Sequence, residues 1–257
     1  MSTIIEIFIS YWPMFLRGAG VTLYISIIGT IIGSIIGLLV GVVRTIPKPE
    51  KGITRILHKL VNVILSIYIE FFRGTPMIVQ ASVIYYGSAI ALGIDLSRTL
   101  AAFIIVSINT GAYMSEIVRG GIVSIDKGQF EAAHAIGMNH GKTMFHVIIP
   151  QVIRNILPAT GNEFVINIKD TSVLSVISVS ELFFQTKSVV ALNYKYFQTF
   201  FVACILYLIM TYSVTRILRL IERKLEGPDN FILIGNQMQV DRPEDILRRA
   251  KKQDRNR

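Results

Sequence analysis

The sequence predicts an all-α membrane protein of about five transmembrane helices, one of them kinked at Pro76. Composition is the first observation behind that prediction. Of 257 residues, 52% are apolar or aromatic and only 17% charged, where a soluble domain carries about 25% charged residues. Mean hydropathy is +0.54. The second is that residues 18–43, 74–94, 99–115 and 196–215 contain no charged side chain, and about 20 apolar residues cross a bilayer as helix. The third is that Lys and Arg gather in alternate connections. These numbers exclude a disordered chain, a disulfide scaffold (Cys204 is the single cysteine) and an ordinary soluble enzyme.

Taken in order, the first span repeats glycine at 29, 33, 37 and 41. Steps of four advance about 40° on a helix, so these glycines form a slowly turning smooth stripe. Such a stripe admits another helix closely, either within the chain or at a subunit interface. The second crossing starts in the apolar residues 60–69 and runs through Glu70 and Arg73 into the next uncharged stretch. As one helix, 60–87 would be about 40 Å long, too long for an upright span. Pro76 within it removes a backbone hydrogen bond and predicts a kink. Residues 99–115 make the third crossing and 196–215 the fifth. The fourth, 158–180, carries Glu163, Lys169 and Asp170 and is weak on hydropathy alone.

Five crossings alternate sides, and the basic residues choose the orientation. Arg44, Lys48, Lys51, Arg55 and Lys59 follow the first span, and Arg119, Lys127, Lys142 and Arg154 follow the third. Eleven more lie between Arg216 and Arg257, while the other side holds Arg17, Arg98, Lys187 and Lys195. Lys and Arg mark the cytoplasmic side, so the N-terminus is expected outside and the C-terminus inside. The division expected is an extracellular segment 1–17, a membrane domain 18–218 with a polar cytoplasmic loop at about 120–157, and a cytoplasmic basic tail 219–257. The tail is expected near anionic lipid. This asymmetry accounts for most of the net charge of +9, so no nucleic-acid partner is expected. No removable signal peptide is recognisable, because residues 1–17 lack a basic start and a small-residue cleavage site.

Two motifs invite chemistry and fail on spacing. Only three residues separate Gly137 from Gly141-Lys142-Thr143 where a phosphate loop needs four, and no strand pattern precedes it, so that motif is rejected. His134, His140 and His146 fall six apart, where metal ligands on one helix face need three or four. No metal site and no catalytic constellation is expected. The loop itself is more specific. Asp126 is suited to cap a helix through Glu131-Ala132-Ala133-His134-Ala135-Ile136, with Gly137 at its reversal. Asn139 is suited to cap a second short helix ending before Pro150. The small alanines let the first helix lie in a partner's groove, or it is a surface helix without a partner.

Glu131-Ala132-Ala133, Gly137 and Val147-Ile148-Ile149-Pro150 resemble the EAA loop of ABC-importer permeases. Three further blocks resemble the polar amino acid branch, which takes in histidine, glutamine, arginine, cystine and opine importers. They are Glu70-Phe-Phe-Arg73-Gly74-Thr75-Pro76, then Ser115-Glu116-Ile-Val-Arg119-Gly-Gly, then Asn162-Glu163-Phe164 with Lys169-Asp170-Thr171-Ser172. The likeness covers roughly residues 15–225. Val147 and Ile149 replace the pattern's isoleucine and leucine and keep the site apolar. The resemblance implies a permease that pairs with a second permease, copy or paralogue, and binds two cytoplasmic ATPase subunits. It also implies delivery of a polar amino acid by an extracellular binding protein. Glu131, Ala132, Ala133, Gly137 and Pro150 would then form the coupling loop. The chain would bind no cofactor and hydrolyse nothing itself, with ATP and Mg held by the partner.

The fourth span can be read on its own. At about 100° per residue, Glu163, Asn167 and Asp170 share an arc of about 60°, with Lys169 about 120° away. A charge near mid-span costs about 2.5–3.5 kcal/mol on insertion scales, so it usually faces a bundle interior or a watery cavity. Glu163, Asn167, Asp170 and Arg73 are therefore the substrate-path candidates. A structural ion pair between Asp170 and Arg73 is the competing reading. Other functions left open are import of another small solute, secondary transport, or a membrane-embedded enzyme.

Overall fold

A run of helices with no strand makes up the described residues, 2–49 and 52–225, of the computed structural model. Helix α1 spans Ser2–Thr45, α2 Ile53–Gly74, α3 Met77–Leu92 and α4 Arg98–Val123. Two short helices follow, α5 (Lys127–Ala135) and α6 (His140–Thr143), then α7 (Ile149–Asp170), α8 (Leu182–Asn193) and α9 (Tyr196–Leu225). Three helical runs, Thr3–Thr45, Arg98–Val123 and Tyr196–Glu222, are each long and apolar enough to cross a membrane. A fourth span results if His140–Ile177 and Leu182–Asn193, bent by 55°, count together. Helices α2 and α3, on either side of Pro76, are the remaining candidate crossing, so the described residues hold about four to five spans.

Three local features add detail to the expectation. Residues 2–17 are helical and run into the first span through a kink, with Ile7 and Phe15 buried beside Leu182, Val189 and Val202. At 44 residues α1 would measure about 66 Å. It bends at Tyr11 (φ −121°, ψ 15°), two residues before Pro13, whose ring opposes the carbonyl of Ile9. The predicted kink at Pro76 is a complete break, because Thr75 (φ −116°, ψ 147°) and Pro76 (φ −65°, ψ 134°) are both extended. Finally, the helical run that holds the fourth candidate span begins at His140, well ahead of residue 158. A π-turn over Met144–Ile148 widens the backbone ahead of Pro150, which sits in the first turn of α7 where no N–H is needed. The helix therefore passes through Pro150 instead of stopping there. The tail from residue 226 lies outside the described residues.

Packing resolves the glycine stripe. Gly29, Gly33, Gly37 and Gly41 lie against Val106, Thr110, Met114 and Val118, so α1 and α4 run parallel in register. A Cβ at Gly33 would stand 2.6 Å from Thr110 Cβ, and one at Gly41 2.7 Å from Val118 Cγ1. The stripe is an intramolecular seam. Beside it, Asn167 of α7 is 3% exposed. Its Nδ2 donates to Thr30 at 2.8 Å and to Thr110 at 3.0 Å, and the Thr110 hydroxyl donates to its Oδ1 at 3.2 Å. This polar clamp joins three helices at mid-span. Apolar cores lie at either end of the seam: Ile25, Ala102 and Ile105 meet Leu174 and Ile177 at one, and Val118 and Ile122 meet Ile148 and Val152 at the other.

Candidate functional site

The loop between α4 and α7 is built from local capping. Asp126 is extended (φ −56°, ψ 131°) and its carboxylate accepts from Gly128 N at 2.6 Å, which starts α5. The helix ends in a left-handed Gly137 (φ +81°), with Gly137 N donating to His134 O at 2.9 Å and Met138 N to Ala133 O at 3.0 Å. These are the two closing bonds of a Schellman reversal. Asn139 then caps the next helix by accepting from Lys142 N at 2.9 Å. Both caps and the reversal are where the sequence placed them.

Only one of the loop alanines faces inward. Ala133 is buried, and Phe130 packs with Met144, Ile148 and Ile125. Gln151 Nε2 donates to Gln129 Oε1 at 3.3 Å and so ties α7 to α5. Glu131, Ala132, Gly137 and Pro150 are exposed. So are Ile136 at 78% and Phe145 at 70%, apolar side chains that gain nothing from water. The loop thus presents a rigid, partly apolar knuckle on a well-packed base.

The path candidates separate. Asn167 is withdrawn into the clamp, so it positions α7 and does not join its arc neighbours on an open face. Glu163 is half-buried, and Asp170 and Arg73 are exposed. Glu163 lies within electrostatic reach of both Asp170 and Arg73, while Asp170 is influenced by Lys169 beside it. No ion pair joins Arg73 to Asp170 or to Glu163. The guanidinium lies instead over the Tyr113 ring, 5.4 Å from its centroid. The structural ion pair that competed with substrate contact is therefore not formed. Asp170 is the last residue of α7, where the helix tightens into a 3₁₀ turn over Thr171–Ile177. Lys169 points into a separate groove of about 310 Å³ between α7 and α9, shared with Arg216 and Arg219.

The structural roles of several polar residues escaped the sequence reading. Glu116 accepts from Arg44 and, at 3.0 and 2.9 Å, from Arg119, which joins the ends of α1 and α4 nearest the loop. Glu181 is fully buried, accepts from Phe183 N at 2.9 Å and Phe184 N at 2.6 Å, and takes a 3.0 Å bond from Tyr207. It caps α8 and fastens it to α9. Glutamate is not a favoured cap, so composition offered no signal for it. Gln80 and Asn109 hold the break between α2 and α3; the proline two residues after Gly74 was the only hint of a place needing them.

Known proteins bear on this arrangement. The family described as "Binding-protein-dependent transport system inner membrane component" matches residues 52–227. The glutamine transport system permease protein GlnP of Escherichia coli (strain K12) is 37% identical over 215 residues, 83% of this chain and 94% of that one. The probable amino-acid permease protein YxeN of Bacillus subtilis (strain 168) is 35% identical over 226 residues, 87% of this chain and 96% of its own. A crystal structure of an amino acid ABC transporter with histidines superposes with a TM-score of 0.73 at 36% identity, covering 84% of this chain and 96% of that one. The MetNI methionine ABC transporter, at 19% identity and TM-score 0.67, shares the fold. In this family a separate subunit hydrolyses ATP, the permease binds no cofactor, and the complex includes a binding protein. The capped loop, the broken spans and these matches together make the chain a multi-pass inner-membrane permease subunit of the binding-protein-dependent ABC importers.

Proposed function

We propose that this subunit carries polar amino acids such as glutamine or arginine across the membrane, with Glu163, Asp170 and Arg73 facing the path. The observation that carries this reading is three ionisable side chains in the spanning region with no ion pair among them. An amino acid supplies both charges such a set needs, an ammonium for a carboxylate and a carboxylate for Arg73. The relatives named for glutamine and arginine transport, GlnP and the Bacillus subtilis permease ArtQ, support the substrate class. A second permease, copy or paralogue, completes the path, and two cytoplasmic ATPase subunits, holding ATP and Mg, grip the exposed side of α5. The N-terminus lies outside and the C-terminus in the cytoplasm, where the basic tail meets anionic lipid.

The test is uptake of radiolabelled amino acids by proteoliposomes holding the whole complex and its binding protein. Removing one member of a desolvated charge pair costs on the order of 2–5 kcal/mol. Asp170→Asn is therefore expected to lower uptake at least tenfold with basal ATP hydrolysis and assembly retained. Loss of assembly would return Asp170 to a structural role, and unchanged uptake would remove it from the path.

A further inference from the structure

The break between α2 and α3 creates a shortage of donors. The last carbonyls of a helix have no partner within it, and Pro76 brings no N–H to the junction. Thr75 and Pro76, both extended, lead the chain away rather than back over those carbonyls. The Thr75 N–H and hydroxyl reach only Phe71 O, at 3.1 and 2.8 Å.

Two amides from other turns supply the rest. Gln80, one turn into α3, is 3% exposed, and the two hydrogens of its Nε2 are shared among Phe72 O, Thr75 O and Thr75 Oγ1, each at 2.9 Å. Asn109 of α4 donates through Nδ2 to Phe72 O at 3.3 Å and to Gln80 Oε1 at 2.9 Å. Both side chains therefore grip the carbonyl of the peptide that joins Phe72 to Arg73. Tyr68, one turn earlier in α2, donates to Ile108 O at 2.7 Å and fastens the same stretch to α4.

We propose that Gln80 and Asn109 are positioning residues for transport: by holding the Phe72–Arg73 peptide they set where the Arg73 charge stands relative to Glu163 and Asp170. The proposal rests on the reading that Arg73 faces the path. Arg73 has no ion pair to fix its head group, and its recorded side-chain contact is the Tyr113 face. With so little to restrain the guanidinium, its backbone decides its place. Coulomb attraction scales inversely with distance, so a last turn of α2 freed to drift weakens the Arg73–Glu163 coupling directly. Leucine at 80 is close to glutamine in volume but donates nothing, which leaves the Phe72 and Thr75 carbonyls short of partners and the turn unanchored.

A double-mutant cycle tests this in proteoliposomes of the whole complex. The substrate is whichever of radiolabelled glutamine, arginine or histidine the unaltered complex accumulates. Uptake rate, half-saturating concentration and basal ATP hydrolysis are measured for Arg73→Gln, Gln80→Leu and the double variant. The expected result is at least a fivefold fall in uptake for each single variant with basal hydrolysis retained, and a double variant no worse than Arg73→Gln alone. Losses that multiply in the double variant would mean that Gln80 acts independently of Arg73 and would overturn the proposal. Normal uptake by Gln80→Leu beside impaired Arg73→Gln would overturn it as well and leave the path reading standing. Normal uptake by Arg73→Gln would sink the path reading and the proposal with it. If Gln80→Leu does not assemble, Asn109→Leu, which spares the three bonds made by Gln80 Nε2, takes its place in the same cycle with the same outcomes.

Discussion

At the scale of single residues, position on a helical wheel and role in the molecule come apart at Asn167. Periodicity places it within about 60° of arc of Glu163 and Asp170, yet its amide is spent on Thr30 and Thr110. Nothing in the local pattern reveals that two threonines, one far earlier in the chain, arrive at the same depth. Asn167→Leu removes a buried amide and leaves both hydroxyls unpaired, a loss of about 1–3 kcal/mol. The purified complex is expected to melt several degrees lower while its preference among amino acids is unchanged. A changed preference with unchanged melting would put Asn167 in the path after all. Gln80, Asn109 and Glu181 teach the same point. A buried polar side chain is chosen by the orphaned backbone groups it satisfies, and those depend on where helices end and meet.

Elements were more legible where the code is local. Asp126, Gly137 and Asn139 act within four residues of themselves, so caps and reversal of the loop between α4 and α7 could be read in advance. The seam of α1 on α4 was half legible: the stripe was visible, but its partner was not, because Val106, Thr110, Met114 and Val118 carry no comparable signature. Proline was the least reliable guide. Pro76 broke a helix, Pro13 sits beside a bend, and Pro150 was absorbed by a π-turn. Each outcome depended on whether neighbouring donors or a widened turn could take up the freed carbonyl. The coupling reading predicts that Gly137→Asp will spoil the reversal, since a side chain at positive φ costs roughly 1–2 kcal/mol and its charge must also be desolvated against the ATPase. Substrate-stimulated hydrolysis and uptake should both collapse while the permease still inserts in the membrane. Normal uptake by this variant would show that α5 is not the coupling element.

For the whole molecule, the distribution of Lys and Arg predicts which way the bundle faces. A cysteine placed near Lys187, within α8, should react with an impermeant thiol reagent in intact cells. One near Lys127, at the start of α5, should react only after lysis, and the opposite pattern would reverse the orientation. The architecture then has a mechanical logic. Asn109 beside the α2–α3 break and Glu116 beside the loop both ride on α4, and α7 runs from the α5 knuckle to Asp170. On the proposed coupling, movement imposed on α5 would reach Glu163 and Asp170 through these two helices. The most direct test of that account is ATP-driven uptake by proteoliposomes containing the complex and its binding protein, with internal ATP and ion gradients varied separately. Accumulation of a polar amino acid should require hydrolysable ATP, persist when sodium and proton gradients are collapsed, and disappear when the ATPase subunits are left out. Accumulation driven by an ion gradient without ATP would contradict the account.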